Sequence, residues 1–164
     1  MDASAFRQLY DYHFSENRKI WDRYIASLTY GQFYQDVGYS YGSVREQIIH
    51  MLDADDIWFS ELMGVEPLEP IPAANNDDRE IIRTHGDKVE QKMRTYLSEL
   101  RDVSLFEKPI TDPEEDKNLM VWQVLLHIVN HGTDHRAQLL RLLSDLGLET
   151  TSQDFIFYAY DHLQ

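Results

Sequence analysis

The sequence contains no cysteine and few of the residues that interrupt helices, with 7 Gly and 5 Pro among 164 residues. Without cysteine, the chain itself supplies no disulfide, no iron–sulfur cluster, no cysteine-ligated zinc and no thiol nucleophile. Any metal must therefore be held by histidine and carboxylate side chains, and any thiol must come from a substrate or a cofactor.

Basic residues are also scarce, because 15 Lys and Arg stand against 29 Asp and Glu and leave a formal net charge of −14. Binding to nucleic acid depends on an excess of Lys and Arg, and an anionic membrane repels a surface of this charge. We therefore expect no nucleic acid and no membrane as partners. No apolar run approaches the roughly 20 residues of a spanning helix, and the N-terminus lacks signal-peptide features, so a cytoplasmic protein is predicted.

Four segments carry a helical period, with apolar residues recurring every three or four positions. These predicted helices cover residues 5–28, 44–63, 77–100 and 120–146. Ser43 and Glu46 fit a capping box at the start of the second predicted helix. Gly64 and Gly147 fit the ends of the second and fourth.

Turn-forming residues separate these helices. Residues 38–43 predict a loop, residues 65–76 a linker with three prolines, and residues 101–118 a loop or a short hairpin. The apolar tail at residues 155–160 predicts either a short helix over the bundle or a dimer contact. Because this length suits one domain, we predict a single all-α domain over residues 1–164, an up-down four-helix bundle with a crossover connection.

Three of the 7 histidines, His127, His131 and His135, recur at four-residue intervals in the fourth predicted helix. This spacing stacks imidazoles on one helix face, where a neighbouring pair can share a metal ion. All three span about 12 Å of helix rise, too far for a single ion. On a helical wheel His135 lies within the apolar arc, His131 at its edge and His127 outside it. His131 and His135 are therefore the predicted metal pair, with His127 in a hydrogen-bonding role one turn away.

A further ligand must come from another helix, and the residues alone do not single one out. The candidates are His13, His50, His85 and His162. His50 lies on a mixed stripe of its helix, which suits either a solvated face or the wall of a cleft. Asp55 raises a separate question, because the wheel places it inside the apolar arc, where a carboxylate needs a partner.

Two motifs resemble the DinB-like superfamily of bacterial four-helix bundles, namely SVREQIIHMLDADDIWFSELMG around His50 and WQVLLHIVNHGTDHRAQLLRLLSDLGL around His131 and His135. The aromatic first helix (FRQLYDYHFSENRKIW) and the tail at Asp154 and Phe155 also fit, so the resemblance covers nearly the whole chain. The resemblance implies that His50, His131 and His135 hold a divalent metal, zinc first, with nickel or iron as alternatives. It also implies a homodimer. Three imidazoles would leave a coordination position open, as in catalytic metal sites.

The superfamily includes bacillithiol S-transferases and mycothiol-dependent maleylpyruvate isomerases. The resemblance thus predicts a metal-dependent enzyme that joins a low-molecular-weight thiol to an electrophilic small-molecule substrate. Glu46 and Asp53, each within one turn of His50, are the candidate catalytic carboxylates. A hydrolase at the same metal and a non-catalytic metal-binding stress-response dimer are the alternatives. DNA binding is disfavoured by the charge.

Overall fold

The computed structural model describes residues 1–73 and 76–162, and within these residues the chain forms α-helices and short 3-10 turns but no strand. The helices are α1 (Ala3–Arg23), α2 (Tyr30–Tyr34), α3 (Val44–Met63), α4 (Arg79–Glu99), α5 (Val121–Asp145) and α6 (Phe155–His162). The prediction of an all-α fold is confirmed. None of the described helices is long and apolar enough to cross a membrane.

The observed helix boundaries agree best with the predicted ones where the residues at the helix ends form caps. α3 has the predicted bounds, because the Ser43 hydroxyl accepts from the Glu46 amide at 3.1 Å and Gly64 adopts a left-handed φ of 65°. The predicted capping box is only half formed, since the Glu46 carboxylate pairs with Arg45 instead. The prediction for the first helix was wrong at its end, because the α-helix stops at Arg23 rather than at residue 28.

A short helix, α2, stands where the sequence indicated a turn. Its start is a capping box, in which the Thr29 hydroxyl accepts from the Gln32 amide and the Gln32 side chain accepts from the Thr29 amide. This reciprocal pair satisfies two backbone donors and lets a five-residue helix form. The region predicted as a loop or hairpin contains a 3-10 turn at Asp102–Phe106 instead of strands.

The four long helices pack so that α1 and α3 each contact both α4 and α5. Tyr10 near the start of α1 donates to the carbonyl of Leu125 near the start of α5, so these two helices are parallel. α3 runs parallel to α4, since Arg45 at its start pairs with Asp78, the residue that caps α4. The connection between the parallel helices α3 and α4 must therefore run back along the bundle, and it is the crossover connection that the sequence predicted. Residues 74–75 of the predicted linker lie outside the described residues.

The hydrophobic core consists of two clusters stacked along the bundle. One surrounds Phe6, Tyr10 and Phe59, and the other surrounds Ile20, Ile48 and Leu139. Along α1, α3 and α5 alike, the chain passes from one cluster to the other through polar residues. A polar layer thus crosses the middle of the bundle. Its buried members include His13, Asp55 and Arg136, and its half-buried members are three further histidines.

The buried part of this layer supplies the partner that Asp55 needs. His13 Nε2 lies 3.1 Å from Asp55 Oδ2, and His13 Nδ1 accepts from the Arg136 guanidinium at 3.2 Å. The two charged partners favour the tautomer that carries its proton on Nε2 and donates it to the carboxylate. The Asn17 amide nitrogen also lies 3.2 Å from Nε2. Arg136 is 0 % exposed and also donates to side chains of Asn17, Thr133 and Gln153. We call His13, Asp55 and Arg136 the buried triad.

Gly132 makes room for this arrangement on α5. A Cβ atom at this position would lie 2.4 Å from His13 Cε1 and 2.8 Å from His13 Nδ1. Only a residue without a side chain lets the imidazole approach the α5 backbone this closely.

Candidate metal centre

Three imidazoles converge at the face between α3 and α5. His50 Nε2 lies 3.2 Å from His131 Nε2 and 3.2 Å from His135 Nε2. Two nitrogen ligands of one tetrahedral zinc ion are separated by about 3.3 Å, given zinc–nitrogen bonds of about 2.0–2.1 Å. The spacing of these nitrogen atoms therefore fits a shared metal ion.

Each helix contributes for a local reason. On α5, His131 and His135 are four residues apart and stack on one face, with ring centroids 4.2 Å apart. On α3, His50 comes opposite the gap between them because the helices are packed side by side. All three side chains are half-buried, and together they form a group that could hold a metal ion. The structure thus selects His50 from the four candidates that the sequence left open.

The environment favours the neutral imidazoles that metals bind. Burial, together with the neighbouring His135 and His131, lowers the pKa of His50 from 6.5 to about 4. Burial and His135 likewise lower the pKa of His131. The carboxylate of Asp55 opposes the pKa shifts of both histidines, and Asp134 also opposes the shift of His131.

Gln47 contacts His135 at Nδ1, the ring nitrogen that faces away from His50. Its side chain is completely buried, and its amide nitrogen lies 2.8 Å from His135 Nδ1. The Gln47 oxygen accepts from the Ser40 hydroxyl at 2.7 Å, and Ser40 also contacts Gln138 on α5. Ser40 thereby ties the loop before α3 to the residue that contacts a candidate ligand. Gln47 belongs to the mixed stripe of His50, for which the sequence left open a solvated face or the wall of a cleft, and its complete burial favours the wall of a cleft.

Tyr41 covers one side of His50. Its ring stacks on that imidazole with centroids 3.8 Å apart and planes 17° from parallel. The loop reaches this position through left-handed residues, with φ values of 66° at Gly38, 53° at Ser40 and 88° at Gly42. The sequence indicated a loop here but contained no sign that its aromatic residue would meet a histidine.

The other predicted site residues lie apart from the converging nitrogen atoms. His127 is exposed and packs edge-on against Trp58, with ring centroids 5.2 Å apart. Its ring centroid is 5.7 Å from that of His131. The hydrogen-bonding role of His127 stays a prediction.

The candidate carboxylates have other neighbours. The Glu46 side chain is 50 % exposed and pairs with Arg45. Burial raises the pKa of Asp53, and the nearby His85 acts against this shift. Within residues 1–73 and 76–162, neither carboxylate makes a hydrogen bond or ion pair with a candidate ligand, and their catalytic roles stay predictions.

The chain is thus a helical-bundle protein with a three-histidine group, between α3 and α5, that could hold a metal ion. The family model of the DinB family matches residues 1–162, and the chain therefore belongs to the DinB family. The chain is similar to Protein DinB of Bacillus subtilis (strain 168), with 23% identity over 167 residues that cover 98% of this chain and 96% of that protein.

Proposed function

We propose that this protein is a divalent-metal-dependent thiol S-transferase that acts on electrophilic small molecules. The observation that carries the proposal is the convergence of three imidazole nitrogens on one point. Three protein ligands leave a coordination position for another molecule, which is the arrangement of catalytic zinc sites. Zinc is the first candidate metal, with nickel and iron as alternatives that imidazole also suits.

A divalent cation held by His50, His131 and His135 would lower the pKa of a coordinating thiol, as metals do for bound thiols generally. In the transfer, the thiol sulfur forms a bond to an electrophilic carbon and the leaving group departs with its bonding electron pair. The thiol proton passes to a base in the solvent or to a nearby carboxylate. Glu46 and Asp53 are the sequence-based candidates for that proton acceptor, and Glu46 is exposed enough to exchange with solvent.

Gln47 would set the orientation of His135. A ligand histidine that uses Nε2 carries its proton on Nδ1 and needs an acceptor there. A half-turn of the Gln47 amide exchanges its nitrogen and oxygen, so that its oxygen accepts from Nδ1 of His135 and its nitrogen donates to Ser40. Both contacts keep the positions they already occupy, at 2.8 Å and 2.7 Å.

The first test is elemental analysis of the purified chain beside the variants His50→Ala and His131→Ala. We expect about one metal ion per chain in the wild type, based on one three-histidine group, and little in either variant. His162→Ala is the matched control, because this exposed histidine at the end of α6 is remote in sequence from the site. Equal metal content in wild type and His131→Ala would contradict the proposed site.

The second test separates catalysis from binding. Zinc-, nickel- and iron-loaded protein is mixed with bacillithiol, cysteine or another small thiol and a chromogenic electrophile such as 1-chloro-2,4-dinitrobenzene. We expect product formation that the His131→Ala variant loses. Stoichiometric metal with no turnover for any thiol would instead favour the alternative of a non-catalytic metal-binding protein.

That alternative is a stress-response homodimer in which the metal stabilises the fold. The observation that favours a dimer is α6, which packs on Tyr12 through Phe155 and Tyr158 but leaves Ile156 and Phe157 half exposed. A second copy of the chain would bury these side chains. Sedimentation analysis should show a dimer for the wild type and a monomer for Phe157→Asp, while a monomeric wild type would contradict the dimer.

A further inference from the structure

A cavity of about 90 Å³ lies on the opposite face of α3 from the candidate metal centre. Ile48, Leu52 and Asp55 line it, and each is about 140–160° around the helix from His50, at about 100° per residue. The cavity opens between α1 and α4. Its walls are mainly apolar, formed among others by Phe14, Trp21, Ile82, Val89, Met93 and Leu139.

The two ends of the cavity differ in character. The outer rim consists of ion pairs that join α1 to α4, Arg18 with Glu90 at 2.6 Å and Arg83 with Asp22 at 3.1 Å. The inner end is closed by Asp55 and Arg136, both members of the buried triad. A molecule that enters past the exposed rim therefore meets an apolar passage and then a buried polar floor.

Gly86 provides part of the space. It lies within α4, where glycine destabilises a helix relative to alanine, and it lines the cavity. A Cβ atom there would lie 3.3 Å from Leu52 Cδ2 and 3.6 Å from Leu52 Cδ1. The missing side chain keeps this part of the passage open.

The polar residues at the inner end of the cavity, Asp55 and Arg136, determine which kind of ligand can bind. Asp55 Oδ2 accepts from His13, whereas Oδ1 makes no hydrogen bond within the described residues. Oδ1 is not among the side-chain atoms found fully enclosed without a partner in that part of the chain. It can therefore accept a hydrogen bond from a ligand. A cationic ligand would be repelled by Arg136 and an anionic one by Asp55, whereas a neutral hydroxyl group avoids both costs.

We propose that this cavity is a second ligand site, which binds a small neutral molecule with an apolar ring and one hydroxyl group donating to Asp55. The apolar walls favour a ring, because removing apolar surface from water is favourable. Phenol is the simplest member of this chemical class. The site is separate from the candidate metal centre, since the two lie on different faces of α3.

The test is a ¹⁹F NMR titration of the full chain, as purified, with 4-fluorophenol and with fluorobenzene. We expect saturable binding of 4-fluorophenol that is at least about tenfold tighter than that of fluorobenzene, which corresponds to one hydrogen bond to a charged acceptor. Gly86→Ala should weaken the binding of 4-fluorophenol by about fivefold or more, because the added methyl group occupies the passage. Val89→Leu adds a methylene at the wall and should act in the same direction.

Ile81→Ala is the matched control, because Ile81 is on α4 but 55% exposed and does not line the cavity. It should leave the affinity unchanged, and saturating zinc should not compete with the probe for its site. Circular dichroism establishes that each variant is folded. The proposal is overturned if 4-fluorophenol does not bind, if fluorobenzene binds equally well, if Gly86→Ala and Val89→Leu bind like wild type, or if zinc displaces the probe.

Discussion

The two faces of α3 use histidine in opposite ways. On one face His50 meets two further imidazoles in a half-buried group, and its Nε2 atom lies 3.2 Å from the Nε2 atom of each. On the other face His13 is completely buried between Asp55 and Arg136, and both of its ring nitrogens have a partner of suitable charge. Both groups belong to the same polar layer between the two apolar clusters.

This difference between the two groups of histidines suggests that one stabilises the fold and the other binds a ligand. A buried polar group with all its partners in the chain holds the helices in one arrangement, and removing one member leaves the others unpaired. Three imidazole nitrogens that converge between two helices form instead a group that could hold a metal ion, and a bound ion would stabilise that arrangement. Changes in the buried triad should therefore alter stability first, and changes around His50 should alter metal affinity first.

The largest effect is expected for Arg136→Met in the buried triad. This change removes four hydrogen bonds, one of them to His13, and takes away the buried cation whose charge offsets that of the Asp55 carboxylate. We expect the free energy of unfolding to fall by about 3–5 kcal/mol, measured by urea denaturation of the metal-free protein. Arg141→Met is the control, because Arg141 lies on the same helix but is exposed and pairs with Asp145, and this change should cost about 0.5 kcal/mol or less. Similar losses in the two variants would remove the distinction between the faces.

Gly132→Ala tests the close approach of His13 to α5. The new methyl group would meet the imidazole at 2.4 Å, and overpacking of this kind costs about 1–3 kcal/mol. Gly86→Ala is the matched control, since it also replaces a helical glycine but meets a flexible Leu52 side chain at 3.3 Å. There we expect a gain of up to about 1 kcal/mol from helix propensity. Thermal denaturation of both variants measures the effect. A higher melting temperature for Gly132→Ala than for Gly86→Ala would contradict the structure.

Gln47→Ala tests the metal face. Loss of the group behind His135 should weaken metal affinity by about 10–100-fold, as is usual for residues that orient a ligand histidine. Competition with a chromogenic chelator measures the dissociation constant, and the visible spectrum of the cobalt-loaded protein reports whether the ligand geometry changes. Gln91→Ala on α4 is the control, because the Gln91 side chain bonds to the exposed Thr95. Unchanged affinity and an unchanged spectrum would show that Gln47 does not orient His135.

The smallest effect concerns pH in the metal-free protein. The pKa of His50 is lowered from 6.5 to about 4 in the folded chain, so the unfolded chain takes up the proton first as pH falls. Stability from neutral His50 is thus present above pH 6.5 and is lost as the pH falls to about 4. Melting temperatures measured across this range should fall less steeply for His50→Gln than for the wild type. Parallel curves would indicate that His50 keeps an ordinary pKa.

Periodicity and capping residues were sufficient for the long helices. The apolar spacing that predicted residues 44–63 depends only on local geometry, and α3 has these bounds. The same local logic failed at residues 24–34, where the capping pair of Thr29 and Gln32 starts a separate short helix. The selection of His131 and His135 over His127 also followed from the wheel, because inward and outward positions on one helix are a local property.

What the sequence by itself determined is therefore the set of helices and the pair of histidines that one helix can align. Only the packing of α3 against α5 brought His50 to that pair and placed Gln47 behind His135. Only the packing of α1 gave Asp55 its partner His13, with Gly132 leaving the space. The physical reason is that helical periodicity fixes directions within one helix, whereas contacts between residues 42 to 123 positions apart depend on how the helices pack.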